Sequence, residues 1–176
     1  MPKKNNRFVI RGLSAKEMKI VSNLEFSEKY YFTREDIEAY VTHKREMINT
    51  IYALVKKGRV VRLNKNKYFL VPIKARLGKW TDEPFVIIDE TLNGKDYYVG
   101  GWAAANYWRL TDQIPFRYDV YTTRRQGRYN LLGVEIIFHR TTKENMIKKS
   151  CEKEINKHKF KILNKKESKR WMSLRE

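Results

Sequence analysis

Residues 32–71 read FTREDIEAYVTHKREMINTIYALVKKGRVVRLNKNKYFLV, and this stretch decides the fold. Thr33 is a residue type that caps helices. Asp36 follows three positions later, and Phe32 and Ile37 stand where a hydrophobic staple would close, so a short helix is expected from about Arg34 to Tyr40. Val41 and Thr42 leave room only for a tight turn. Thr42 then caps a helix from His43 to about Lys57, in which Ile48, Ile51, Tyr52 and Val55 follow the i, i+3, i+4, i+7 spacing of a core-facing stripe. The opposite face carries Lys44, Arg45, Asn49 and Lys56. Gly58 sits just past the end, where a left-handed residue closes a helix. Arg59–Leu63 and Lys67–Val71 are apolar, β-prone runs flanking Asn64-Lys65-Asn66, which signals a hairpin with a cationic tip. Helix, turn, cationic helix and basic hairpin in that order predict a winged helix-turn-helix, a shape that lays one helix in the major groove of duplex DNA.

Upstream, Ser14 and Glu17 have capping-box spacing, with Leu13 and Met18 as a staple, and Ile20, Val21 and Leu24 share one face. A helix from about Ala15 to Leu24 is expected. Met1 to Arg7 is an aperiodic basic arm bearing Lys3, Lys4 and Arg7.

The charge pattern agrees with a polyanionic partner. The 176 residues carry a formal net charge of +18, with a pI of about 9.9. Residues 1–75 hold 17 Lys/Arg against 7 Asp/Glu, residues 76–140 hold 9 against 8, and residues 141–176 hold 12 against 5. A charge serving solubility alone would not avoid the middle third. Cys151 is the only cysteine, so no internal disulfide or Cys-rich zinc site can form. No apolar run approaches 18 residues and no signal-peptide pattern is present, which predicts a cytoplasmic protein without a membrane partner.

The middle third reads as a small α/β unit, giving an α+β chain with a winged helix-turn-helix domain at 1–75 and a second domain at 76–176. Residues 73–82 resemble a linker, and Phe85-Val86-Ile87-Ile88 fits a buried strand or a helix equally well. Tyr97-Tyr98-Val99 reads as a strand broken by Gly100-Gly101, followed by an Ala-rich helix from Trp102 to Leu110 and a turn closed by Pro115. Arg117–Thr123 and Leu132–His139 read as strands, with Arg124–Arg128 as the hairpin loop between them. Residues 141–176 form a Lys-rich C-terminal extension in which Lys159–Leu163 alternates like a strand and Glu167–Leu174 suits a short helix with Trp171 packed inward.

The order of the helix-turn-helix and hairpin, then Tyr98-Val99-Gly100-Gly101-Trp102-Ala103-Ala104, Leu110-Thr111-Asp112-Gln113-Ile114-Pro115, Val120-Tyr121-Thr122-Thr123 and Gly133-Val134, resembles the AbiEi family across roughly residues 10–140. Members of that family are antitoxins and transcriptional regulators of type IV toxin–antitoxin (abortive-infection) systems. The resemblance implies an N-terminal unit that binds operator DNA and represses its own operon, and a following domain active against a nucleotidyltransferase-like toxin.

The residues expected to meet DNA are Thr42, His43, Lys44, Arg45, Asn49 and Lys56 on the cationic helix, Arg59, Arg62, Lys65 and Lys67 on the hairpin, and Lys3, Lys4 and Arg7 on the arm. Arg and Lys suit guanine acceptors and Asn suits adenine, while hairpin cations hold phosphates. Palindromic or repeated half-sites would imply a homodimer or cooperative binding. His43, His139 and His158 stand apart in sequence, and no phosphate-binding glycine loop or nucleophile elbow is present, so no cofactor, no metal and no enzyme activity is expected. Two rival readings remain: a module that binds an acidic toxin without touching DNA, and a metal-dependent nuclease using Asp119 and Glu135.

Overall fold

Helix α1 (Ala15–Phe26) starts where Ser14 and Glu17 cap each other. Ser14 Oγ accepts the Glu17 N–H at 3.3 Å, and the Glu17 carboxylate accepts the Ser14 N–H at 2.6 Å. This is the capping box that the sequence predicts. The structure is a computed structural model that describes residues 12–75 and 82–175. The arm residues Lys3, Lys4 and Arg7 and most of the expected linker lie outside the described residues. Two compact units divide the chain, Met1–Trp80 and Thr81–Glu176.

In the first unit α1 is followed by strand β1 (Tyr31–Phe32), a 3-10 helix (Glu35–Tyr40), helix α2 (Lys44–Lys56), and strands β2 (Val60–Arg62) and β3 (Tyr68–Leu70). The three strands form an antiparallel sheet in the order β1-β3-β2. Phe32 is therefore a strand residue as well as a core residue, which its staple role did not anticipate. Asp36 ties the start of the 3-10 helix by accepting the Thr33 N–H at 2.6 Å. Helix α2 closes in a Schellman motif on Gly58 (φ 70°), with the Gly58 N–H on Val55 O at 3.0 Å and the Arg59 N–H on Leu54 O at 2.9 Å.

The core-facing stripe of α2 differs from the expected one. Met47, Ile51 and Leu54 are buried, whereas Ile48, Tyr52 and Val55 are exposed by 46%, 67% and 38%. Both triplets fit helical spacing, and the side that meets Ile20, Val21, Leu24, Phe32 and Leu70 is selected by tertiary packing.

The second unit is a six-stranded mixed sheet with four helices among the described residues. Helix α3 (Pro84–Leu92) settles the Phe85–Ile88 ambiguity; Pro84 opens it and left-handed Asn93 ends it. Strand β4 (Tyr97–Gly100) leads through Gly101 into helix α4 (Gly101–Tyr107). A Cβ at Gly100 would lie 2.7 Å from the Tyr121 ring, and one at Gly101 would lie 2.6 Å from Asp119 Oδ2, so only glycine fits this bend. Residues 111–115 run without regular structure, so the Pro115 turn is not seen.

Strands β5 (Arg117–Thr122), β6 (Gly127–Leu131) and β7 (Val134–Arg140) correct the expected hairpin. β5 and β7 are parallel neighbours, and β6, read as part of a loop, is an antiparallel edge strand joined to β7 by the two-residue turn Leu132-Gly133, both at positive φ. Helix α5 (Lys143–Lys149) and strands β8 (Ser150–Ile155) and β9 (His158–Leu163) follow, then helix α6 (Lys165–Ser173). The sheet order is β6-β7-β5-β4-β9-β8. The Lys-rich C-terminal segment is thus no appendage: β9 pairs with β4, and Phe160, Ile162 and Leu163 lie in the core with Val99, Val120 and Phe138.

Candidate nucleic-acid interface

At 100° per residue, Arg45, Asn49, Tyr52 and Lys56 fall within an arc of roughly 60°, on the far side of α2 from Met47, Ile51 and Leu54. All four are exposed. Tyr52 is the addition: its place in an i, i+3, i+4, i+7 pattern assigned it to the core, yet it stands beside the polar residues. The solvent-facing tyrosine stands between Asn49 and Lys56 with its ring and hydroxyl exposed.

The N-terminus of α2 is built differently from the expected one. Its N-cap is His43, in extended conformation with no side-chain capping bond, so Thr42 lies one residue before the cap. The Thr42 N–H instead donates to the Glu46 carboxylate at 2.7 Å, and Glu46 also pairs with Lys16 of α1. The Lys16 ammonium, followed by the Thr42 N–H, holds the Glu46 carboxyl down at about 2, from an ordinary 4.5. The first turn therefore contains an acid that offsets the local cost of Lys44 and Arg45 at the positive end of the helix dipole. His43, Arg45 and Asn49 line one side of an open hollow of about 460 Å³ whose other side is Ser14, Lys16 and Glu17 of the α1 start. A second tie joins the helices at the far end of α2, where Lys57 reaches Glu17 at 2.5 Å. Burial works to raise the Glu17 carboxyl, but the Lys57 and Ser14 bonds outweigh it and leave it below the ordinary range. These ties fix α2 on α1 without using Lys44, Arg45 or Lys56, which form no ion pair among the described residues.

The hairpin residues separate into three kinds. Arg59 does not suit the phosphate-holding role expected of it: its side chain is only 16% exposed and faces Glu25 at 3.9 Å. Arg62 is exposed but folds over its own loop, donating to Asn64 O at 2.9 Å and Lys65 O at 3.3 Å. Asn64 Oδ1 accepts the N–H groups of Asn66 (2.9 Å) and Lys67 (3.0 Å), an Asx turn that sets the tip. Lys65 is exposed at that tip, and Lys67 is half-buried at its base.

The carboxylates of the nuclease reading are engaged with basic neighbours. Asp119 holds His139 Nε2 at 2.7 Å, and Glu135 faces Arg128 at 3.3 Å. His158, which sequence placed in a Lys-rich run, is joined to Asp89 at 3.0 Å, and Asp89 also accepts the Tyr97 hydroxyl at 2.6 Å. Among the described residues no helix is long and apolar enough to cross a membrane.

No family model matches the chain, and no curated protein does. Among solved structures, the chain is similar to the RV2827C protein from Mycobacterium tuberculosis at 17% identity and a TM-score of 0.55, a likeness that covers 80% of this chain and 50% of that one. This chain thus spans about half the length of that protein. At such identity the likeness speaks to fold, and it agrees with a mixed α+β architecture.

Proposed function

We propose that the chain is a DNA-binding transcriptional regulator of the AbiEi antitoxin kind, whose first unit is a winged helix-turn-helix. The observation that carries this reading is the outward face of α2: Arg45, Asn49, Tyr52 and Lys56 stand together in solvent, and their cations lack carboxylate partners among the described residues. Support also comes from the element order α1, β1, 3-10 helix, α2, β2, β3, which is the order expected of a winged helix-turn-helix, and from a hairpin tip held by its own Asx turn with Lys65 exposed on it. In this reading α2 enters the major groove. Arg45 and Asn49 meet base edges, Lys44, His43 and Lys56 flank them, and Lys65 and Lys67 follow the phosphates. Repression of its own operon and a nucleotidyltransferase-like toxin as second partner follow from the resemblance of residues 10–140.

A second reading has its own observation. Ile48 and Val55 on the flank of α2, next to Tyr52, form an exposed apolar strip that would suit a protein partner better than a phosphate backbone. A gel shift with the duplex upstream of its own gene, with and without divalent metal, separates the possibilities. A shift without cleavage supports the regulator, indifference to DNA supports the protein-docking module, and metal-dependent cutting supports a nuclease.

A further inference from the structure

The second unit holds a cleft of about 310 Å³ between α6 and the sheet face of β4 and β5, within the size range of small-ligand pockets. Its floor is an aromatic row. Tyr98 and Tyr121 are directly opposed across β4 and β5, with ring centroids 5.0 Å apart and planes 10° off parallel. His139, opposed to Tyr121 on β7 and fixed by Asp119, extends the row at 4.9 Å. The far wall is Trp171 of α6, set edge-on against Trp102, with the Arg175 guanidinium 4.0 Å above its ring.

Three polar groups enter this aromatic space. Lys149, at the end of α5, and Arg170, on α6, have no ion pair among the described residues, and Glu167 is the one acid among the lining residues. The α6 wall is tied down at its start. Asn164 Oδ1 caps α6 through the Glu167 N–H at 2.9 Å, the Asn164 N–H holds Lys149 O at 2.8 Å, and Ser168, 1% exposed, anchors the helix to Leu163 O. Burial, then Asp119, pushes the Tyr121 hydroxyl up.

Aromatic walls, two unpaired cations and a single carboxylate together match a ligand with a flat ring, an anionic group and hydroxyls. We propose that this cleft is a binding site for a nucleoside monophosphate, with the base against Tyr98, Tyr121 and Trp171, the phosphate on Lys149 and Arg170, and the sugar hydroxyls donating to Glu167. Cation-to-phosphate bonds are charge-assisted, and the carboxylate accepts where the phosphate would be repelled, which sets the orientation. The site lies in the second unit and is independent of the DNA reading for α2.

The test is a titration of the full-length protein with adenosine 5′-monophosphate, followed by the indole N–H resonance of Trp171, which the Trp171→Phe variant assigns. The expected result is a saturable shift, with adenosine alone and inorganic phosphate alone each about tenfold weaker or worse, the loss of one charge-assisted contact set. Arg170→Gln weakens binding about tenfold, and Lys149→Gln does so independently should the first variant fold poorly. Lys19→Ala, an exposed residue of α1 in the first unit, leaves the affinity unchanged. An unmoved Trp171 signal, phosphate binding as tightly as the nucleotide, or an equal loss on Lys19→Ala would overturn the assignment.

Discussion

Both units of this chain are basic, but they place their cations differently. In the first unit four acids are paired with cations: Glu46 joins Lys16 across α1 and α2, Glu17 joins Lys57, Asp36 joins Lys29, and Glu25 faces Arg59. Among the cations without an ion pair in the described residues, Arg45 and Lys56 share the solvent side of α2, Lys44 is exposed in its first turn, and Lys65 is exposed at the hairpin tip. In the second unit Asp119 pairs with His139, Asp89 with His158 and Asp96 with Arg124, and two cations without an ion pair among the described residues line an aromatic cleft. The formal charge of a segment is therefore a poor guide to what it binds. Which cations remain after the carboxylates have taken partners is a better one, and the two proposed ligands, duplex DNA for the first unit and a nucleotide for the second, rest on it.

The largest expected effect concerns the frame of the first unit. Leu54→Ala removes a fully buried side chain of α2 and should cost that unit about 2–5 kcal/mol, while the second unit melts as before. Ile48→Ala, one of the residues that sequence assigned to the core, should change stability by no more than about 0.5 kcal/mol in denaturant titrations. Equal losses would mean that the buried and open faces of α2 have been exchanged.

Next come the contacts themselves. Arg45→Ala should weaken duplex binding by about 1–3 kcal/mol and relax preference at one base position, and Asn49→Ala should change which base is preferred. Binding to a panel of single-base operator variants distinguishes this from a uniform loss, which would remove Asn49 from base reading. Lys65→Ala should weaken all sequences alike and lower the salt slope by roughly one. Arg59→Ala should leave that slope unaltered, because its guanidinium faces Glu25 rather than solvent.

The smallest effect is a pH dependence. The Glu46 carboxyl is lowered from 4.5 to about 2 in the folded protein, so its contribution is fully present above the unfolded value and is lost as pH falls through the folded one. Thermal melts should show the first unit weakening between about pH 4.5 and 2, and Glu46→Gln should flatten that part of the profile. An unchanged profile would show that the Lys16–Glu46–Thr42 tie does not hold α2 to α1.

Much of the first unit was legible because its signals are local. Ser14 with Glu17, Gly58 after α2 and Asn64 before the hairpin tip are each read within a few residues, and each is found in the role its chemistry suggests. The buried stripe of α2 was not legible: Ile51 belongs to two overlapping patterns, and only packing against α1 and β3 chooses between them. Tyr52 was lost to the site for the same reason. Thr42 lost its capping role because Glu46 could reach back to its N–H. In the second unit β6 escaped notice because an exposed edge strand such as Gly127–Leu131 has no apolar alternation, and β5 and β7 are parallel partners that no hairpin rule finds. The aromatic row of Tyr98, Tyr121 and His139 is built from three strands distant in sequence, so only the sheet register brings it together.

The most direct test of the central claim is the salt dependence of binding between the full-length protein and the duplex from upstream of its own gene, followed by fluorescence anisotropy. With Lys44, Arg45, Lys56, Lys65 and Lys67 neutralising phosphates, log K should fall against log salt with a slope of about −4 or steeper, and the upstream duplex should exceed unrelated DNA by about 10³ or more. A slope near zero, or equal binding to any duplex, would contradict the assignment of α2 as a recognition helix.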